Sequence, residues 1–275
     1  MSSLTTWKQL SDGTDDVVLA VDFDATGRIE ARFTDFVQLL RPGGTVWETR
    51  PQAISARPDL PAETYVKQWV DEVADSGRTV RGVLAFCAGS VYAAAIAAEI
   101  EKAQGTFPVT VLFDPERATA ANLYWQFHKA VGQMVTTLGE SEVGQAQDAG
   151  QRAQEQCTSL TELAHQLLPL YESVADSACA KLGLDERRCA EMSETAGAFL
   201  SYLSIAEQID PTQVWRRCTA ITSHTPTSGL NGFRMLNPGR DARIVAHEYR
   251  FETPHTELLR SSDVARAVSR LLTAR

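Results

Sequence analysis

The sequence predicts an α/β protein built on a mostly parallel sheet, with a helical block inserted late in the chain. Three observations predict it. Short apolar, β-branched runs alternate with amphipathic helical patterns over the first 113 residues. One of those runs passes through small residues straight into an alanine-rich helix. Strand signals then vanish between Ala120 and Trp215 and return near the C-terminus.

Taken in order, Val17–Val21 (VVLAV) is a five-residue apolar run between Asp15, Asp16 and Asp22, as expected of a buried strand. Helical periodicity follows over Phe33–Leu40 and Ala62–Ala74. Arg81–Phe86 (RGVLAF) and Val109–Phe113 (VTVLF) repeat the strand character, with a helix over Val91–Gln104 between them. Alternation of this kind implies βαβ units, a parallel sheet and functional groups at the carboxyl ends of the strands. In the next block, Leu160, Leu163, Leu167, Leu170, Tyr171 and Val174 form one helical stripe. Met192, Ala196, Phe199, Leu200, Leu203 and Ile209 form another. A helical block inserted in an α/β domain reads most simply as a lid over its active site. The expected organisation is therefore a core of residues 1–119 and 216–275, with a lid over 120–215. Strands at Cys218–Ser223 and Arg243–Phe251 and a helix at Asp263–Leu272 complete the core.

Bulk properties narrow the function classes. The chain has 275 residues, 44% apolar and 22% charged, an ordinary balance for a globular protein with a sizeable core. The start, MSSLTTWKQL, has neither the basic nor the apolar region of a signal peptide. The longest apolar stretch, Val83–Ile100, is interrupted by Gly89 and Ser90 and does not read as a membrane span. Cys87, Cys157, Cys179, Cys189 and Cys218 are odd in number and lack a CxxC pair, against a disulfide framework or a zinc site. A cytoplasmic protein with reduced thiols is expected. The net charge of −9 disfavours general nucleic-acid binding. Residues 216–275 nevertheless hold ten Arg against five Asp/Glu, which leaves open a basic face for an acidic partner or simply a solvated surface.

The informative segment is Arg81-Gly-Val-Leu-Ala-Phe-Cys-Ala-Gly-Ser-Val-Tyr-Ala-Ala-Ala. Strand, tight turn and helix in this order are the context of a nucleophile elbow, the G-x-S-x-G turn of α/β-hydrolases. Here the turn reads A-x-C-x-G, with Ala85 and Gly89 as the small flanking residues. Cys87 is thus the candidate nucleophile, exposed above the sheet edge at a helix N-terminus whose dipole favours thiolate. The competing reading is a buried cysteine acting as a small hydrophobe. The Ala88 N–H is a candidate oxyanion donor. The second donor is expected in the loop Asp22-Phe23-Asp24-Ala25, with Phe23 the choice.

An α/β-hydrolase takes its partners in the order nucleophile, acid, histidine. His255 lies in a turn after the last strand, marked by Pro254, whereas His247 falls within the strand and points into a face. His255 is therefore the expected base. Asp114 ends the strand after the elbow helix (Val-Leu-Phe-Asp-Pro), and Ile221–Gly229, where many hydrolases carry the acid, has no carboxylate. Asp114 is the expected acid, orienting the imidazole; the alternative is an Asp capping the turn before Pro115. His224 and His128 are candidates for lining the pocket, or structural residues.

With these residues in view, the chain resembles the thioesterases of nonribosomal peptide and polyketide assembly lines. The resemblance runs through VVLAVDFDATG…FTDFVQLL, PAETYVKQWVDEV, the spacing from Cys87 to Asp114, the helical insertion, and PHTELL…VARAVSRLL. It departs in having Cys for Ser, Ala for the first Gly, and DFDATG for a glycine-rich oxyanion loop. The resemblance implies an acyl or peptidyl carrier protein as partner and a substrate delivered on its phosphopantetheine arm, with no further cofactor. It implies an acyl-S-enzyme on a Cys87-His255-Asp114 triad, resolved by water or another nucleophile. A cysteine attacking a thioester makes another thioester, so an acyl or aminoacyl shuttle between carrier proteins is the second reading. A catalytically silent binding protein is the third.

Overall fold

The structure is a computed structural model that describes residues 4–23, 29–41, 43–50, 59–239 and 243–274. The chain starts on β1 (Trp7–Ser11) and β2 (Val17–Val21), followed by a single helical turn, α1 (Phe33–Phe36), and β3 (Thr45–Thr49). Helix α2 (Ala62–Asp75), β4 (Val80–Phe86), α3 (Gly89–Gln104) and β5 (Val109–Phe113) come next. The strands order as β1-β3-β2-β4-β5-β6-β7, with β6 at Thr219–Thr222 and β7 at His247–Arg250. Only β1 runs antiparallel to its neighbour. Every residue of β2 is buried, the signature of a parallel strand covered on both faces.

Each face of the sheet has its own apolar layer. On one, Val18, Leu84, Val111 and Phe113 pack with Phe33, Phe36, Val264, Val268 and Leu272. Phe33, Phe36 and Phe113 meet edge to face, with centroids 5.2–6.2 Å apart. An aromatic chain of Trp7, Trp69, Tyr65 and Tyr92 joins β1, α2 and α3. The last helix, α11 in the chain (Ser262–Thr273), is capped by Ser261, whose hydroxyl accepts the Val264 N–H, and buries Val264, Ala265, Val268 and Leu272. At about 1.5–3 kcal/mol for each fully buried Val or Leu, this stripe alone accounts for its docking.

The chain divides into two compact units. The sheet unit contains residues up to Arg50, Glu63–Arg117 and Ile209–Arg275. The other, centred on Ala118–Gln208, is all helix among its described residues: α4 (Ala120–Gly132), α5 (Val135–Leu138), α6 (Glu140–Gln156), α7 (Leu160–Leu182) and α8 (Glu186–Ala206). Thr119, Ser159 and Asp185 cap α4, α7 and α8 through side-chain oxygens. Gly150 lets α6 close on α4, since an added Cβ would lie 2.5 Å from the Phe127 ring. Gln208 accepts the Ala62 N–H at 3.0 Å and donates to the Leu60 carbonyl at 3.1 Å, closing that unit. The short helix α9 (Thr212–Trp215) goes with the sheet unit, where the Trp215 indole donates to the Ser90 carbonyl at 3.0 Å.

Several elements differ from the sequence expectation. Strands β1 and β3 were not anticipated, because WKQLS is mostly polar and TVWET carries polar residues at positions the sheet buries. Glu48 is 1% exposed, and Thr45 and Thr49 satisfy their hydroxyls on the backbones of Thr14 and Asp22. The helix expected over Phe33–Leu40 is only one turn, although Val37 and Leu40 still pack into the core. The last strand spans four residues instead of nine because it pairs with a β6 of equal length at the sheet edge. A helix not anticipated, α10 (Gly229–Leu236), follows β6.

Phe113 sits at 0% exposure in the centre of the three-ring cluster and immediately precedes Asp114. Phe113→Ala is expected to cost about 3–5 kcal/mol in stability by cavity formation, read from denaturant unfolding midpoints at constant m-value. A loss below about 1 kcal/mol would contradict this account of the core.

Candidate active site

The site is assembled where β4, β5 and β6 end. Strand β4 stops at Phe86, and Cys87 takes φ +51°, one of two non-glycine residues with positive φ among those described. The left-handed region costs a residue with a Cβ about 1–2 kcal/mol, so neighbouring bonds must hold it. The Cys87 N–H continues the ladder to the Phe113 carbonyl at 2.9 Å, and its own carbonyl accepts the Ser90 N–H at 3.1 Å. Helix α3 starts at Gly89, two residues earlier than its periodicity indicated, and buries Ala93, Ala94 and Ala97. Strand, strained residue and helix N-terminus thus form the expected elbow.

The second residue with positive φ is Asp114, at +42° and 0% exposure. Its N–H donates to the Ile221 carbonyl at 2.8 Å, the same strand-exit bond one strand over. Oδ1 accepts the Ser223 N–H at 2.9 Å, and Oδ2 faces His255 Nδ1 at 2.8 Å. An ionised carboxylate can only accept, so Nδ1 carries the proton and Nε2 is left as the basic nitrogen. The imidazole is held further by its stack on Phe86, 4.7 Å between centroids at 29°. The His255 backbone N–H donates to Thr225 Oγ1 at 2.9 Å. Asp114 and His255 are therefore brought together as an oriented acid–imidazole pair.

Cys87 is placed differently from the sequence expectation. Its thiol donates to Glu116 Oε2 at 3.4 Å, and among the described residues it makes no hydrogen bond to His255. Glu116 is fixed in turn, because Oε1 accepts the Gly229 N–H at 2.7 Å. Gly229 has φ +55°, and an added Cβ would lie 2.6 Å from the Asp114 Cα, so only glycine fits there. The surroundings of the sulfur run against the expected thiolate. Burial of the sulfur, the negative charge of Glu116 and, more weakly, that of Asp22 push the Cys87 thiol well above its usual range, and the Ala88 N–H offsets only part of this.

Ala88 directs its N–H toward the sulfur, where an oxyanion donor is needed. The Phe23 N–H is already given to Asp22 Oδ1 at 2.8 Å, so an oxyanion there would have to displace that bond. Asp24 and Ala25, the remainder of that loop, lie outside the described residues. His247 is exposed on edge strand β7. His224 is half exposed, its ring 3.9 Å from Glu252. His128 is in the helical unit, bonded to Tyr124 at 3.2 Å and stacked on Trp125. Among the described residues no group of three His, Cys, Asp or Glu is placed to hold a metal ion. Glu116 is the site residue that sequence reasoning missed. Its one signal was its position two residues after Asp114, on the same strand-exit loop.

A protonated thiol alkylates slowly. Iodoacetamide at neutral pH is expected to leave Cys87 largely unmodified in the free protein, with the rate rising only as the pH is taken well above the range of an ordinary cysteine. Glu116→Gln removes the charge and keeps an acceptor for Gly229, so it should speed alkylation at Cys87 severalfold. Peptide mapping by mass spectrometry gives the site. Rapid wild-type labelling, or no gain in the variant, would refute this electrostatic picture.

No protein-family model matches the chain, and no curated protein matches it. Solved structures do. A four-domain nonribosomal peptide synthetase, the holo form with AMP and glycine, aligns over 98% of this chain with a TM-score of 0.57 and 13% identity; the chain spans 20% of that protein. The NocB thioesterase domain, in covalent complex with a fluorophosphonate nocardicin G analog, aligns over 97% of this chain and 99% of its own, with a TM-score of 0.50 and 14% identity. A hydrolase from Oleispira antarctica aligns over 98% of this chain and 94% of its own, with a TM-score of 0.51 and 11% identity. At such identities the likeness concerns the fold, and the chain has the α/β-hydrolase fold, with Cys87, Asp114 and His255 at the carboxyl ends of its strands.

Proposed function

We propose that this protein is an acyl-transferring enzyme of the thioesterase type, acting on acyl or aminoacyl thioesters carried on the phosphopantetheine arm of a carrier protein. The observation that carries the reading is the pair of buried Asp114 and half-buried His255, 2.8 Å apart, beside a cysteine on a strained elbow. In this reading the Cys87 sulfur turns from Glu116 to His255, and Nε2 takes the thiol proton as sulfur attacks the thioester carbonyl. Asp114 stabilises the imidazolium so formed, and the Ala88 N–H, with a donor from the Asp22–Phe23 loop, holds the oxyanion. The carrier thiol departs with the proton from His255, leaving an acyl-Cys87 thioester. Likeness to a thioesterase domain and to a nonribosomal peptide synthetase supports the choice of substrate.

Two acceptors complete the reaction, and the cysteine itself favours one of them. Water gives hydrolytic release. A second carrier thiol gives a shuttle, which a cysteine suits because both half-reactions exchange one thioester for another at little free-energy cost.

Intact-mass spectrometry after incubation with an acylated carrier protein should show an adduct on the protein that Cys87→Ser forms only as an oxygen ester. His255→Ala should slow adduct formation by about 10²–10⁴-fold, the usual worth of general base catalysis. In a shuttle, Cys87→Ser should abolish transfer to a second carrier. Return from an oxygen ester is uphill by a few kcal/mol, or about two to three orders of magnitude at 1.4 kcal/mol per tenfold. Rapid release of free acid with no transfer would eliminate the shuttle. No adduct, release or transfer would leave a hydrolase-like binding protein.

A further inference from the structure

A carboxylate against the sulfur of a cysteine nucleophile is a liability. Glu116 Oε2 lies 3.4 Å from Cys87 Sγ and opposes the thiolate that the reaction requires. It is not a wandering surface side chain. The Gly229 N–H holds its other oxygen at 2.7 Å, and Gly229 is itself locked by its approach to Asp114. Among the described residues no Lys, Arg or His pairs with Glu116. The neighbouring Arg117 spends its guanidinium on Asp210 and Thr212. A fixed, half-buried carboxylate 3.4 Å from the reacting sulfur, with no cation paired to it among the described residues, suits a cation that arrives with the substrate.

We propose that Glu116 is the specificity residue of this site, binding the α-ammonium of an aminoacyl group as that group is carried on Cys87. The inference rests on the acyl-transfer reading and names the class of acyl group. The geometry selects the ammonium at that position. In an aminoacyl thioester the nitrogen is attached to the carbon next to the carbonyl, so on an acylated Cys87 it lies within a few ångströms of Sγ, where Oε2 already stands. The thiol proton that Glu116 accepts in the free protein is replaced by an N–H of the ammonium once the sulfur is acylated. The arriving positive charge also cancels the opposition to thiolate formation at the moment of attack, so recognition and activation are one event. The bonds balance: Sγ–H passes its proton to His255 Nε2, Sγ–C forms, the carrier's S–C bond breaks, and the leaving thiol takes the proton. The ammonium keeps its own protons throughout. A neutral acyl group lacks the compensating charge and leaves the carboxylate facing an apolar chain.

The test compares alanyl-, lactyl- and propionyl-S-pantetheine, near-isosteric donors that differ in bearing NH₃⁺, OH or H, with acyl-Cys87 formation followed by intact mass. Wild type should favour alanyl over propionyl by about ten- to a hundredfold, the range for a hydrogen bond to a charged group, with lactyl close to propionyl. In Glu116→Gln the alanyl-to-propionyl ratio should collapse toward one. Equal rates for the three donors in wild type, or a ratio that survives in the variant, would overturn the inference and leave acyl transfer standing. Absence of an adduct with every donor, and with acylated carrier protein, would overturn acyl transfer itself and the inference with it. Should the variant unfold, as circular dichroism would reveal, the wild-type donor ratio still decides.

Discussion

The buried carboxylate of Asp114 is the point on which the functional edge of the sheet depends. It has no exposure to solvent, so its charge is tolerable only while its oxygens are engaged. The Ser223 N–H supplies one partner and His255 Nδ1 the other. These come from the loop after β6 and the turn after β7. One side chain thereby ties together segments more than a hundred residues apart in sequence. Breaking such a buried pair by removing one partner typically costs about 3–5 kcal/mol, because a charge is left without compensation. The same bond that orients the imidazole also holds the C-terminal turn in place.

Strain and support alternate along this edge. Cys87 and Asp114 both sit in the left-handed region, and in each case the N–H continues the ladder into the next strand, to Phe113 and Ile221. A parallel sheet thus drives two successive strand exits through sharp turns while keeping their amides bonded. The side chains are lifted above the edge, where they can meet. Gly229 closes the arrangement from the β6 side, since no Cβ fits against the Asp114 backbone. The core beneath it, Phe33, Phe36 and Phe113, gives these turns a rigid floor.

The electrostatics of the sulfur follow from that construction. Asp114 is bonded to His255, whereas Glu116, two residues further on, turns toward the thiol. Burial and the Glu116 charge therefore push the thiol of the free protein above its usual range. The Glu116 carboxylate, 3.4 Å from the sulfur, is thereby part of the immediate surroundings of that cysteine.

The sequence by itself determined the core strands, the elbow and the chain order of the site. VVLAV, RGVLAF and VTVLF are apolar on both faces, and only a covered parallel strand accepts that composition. The turn at Cys87 needs small residues and a following helix, and both are written locally. Asp114 was reachable by elimination, since Ile221–Gly229 offers no other carboxylate. Tertiary structure alone decided the rest. Strand β3 stayed hidden because Thr45 and Thr49 find partners on distant backbones and Glu48 faces Lys8 of β1 across the sheet, which no local pattern records. The state of the sulfur was decided in space as well. A helix N-terminus speaks for thiolate in one dimension, but desolvation and the charges of Glu116 and Asp22 act through a few ångströms of protein and push the thiol the other way.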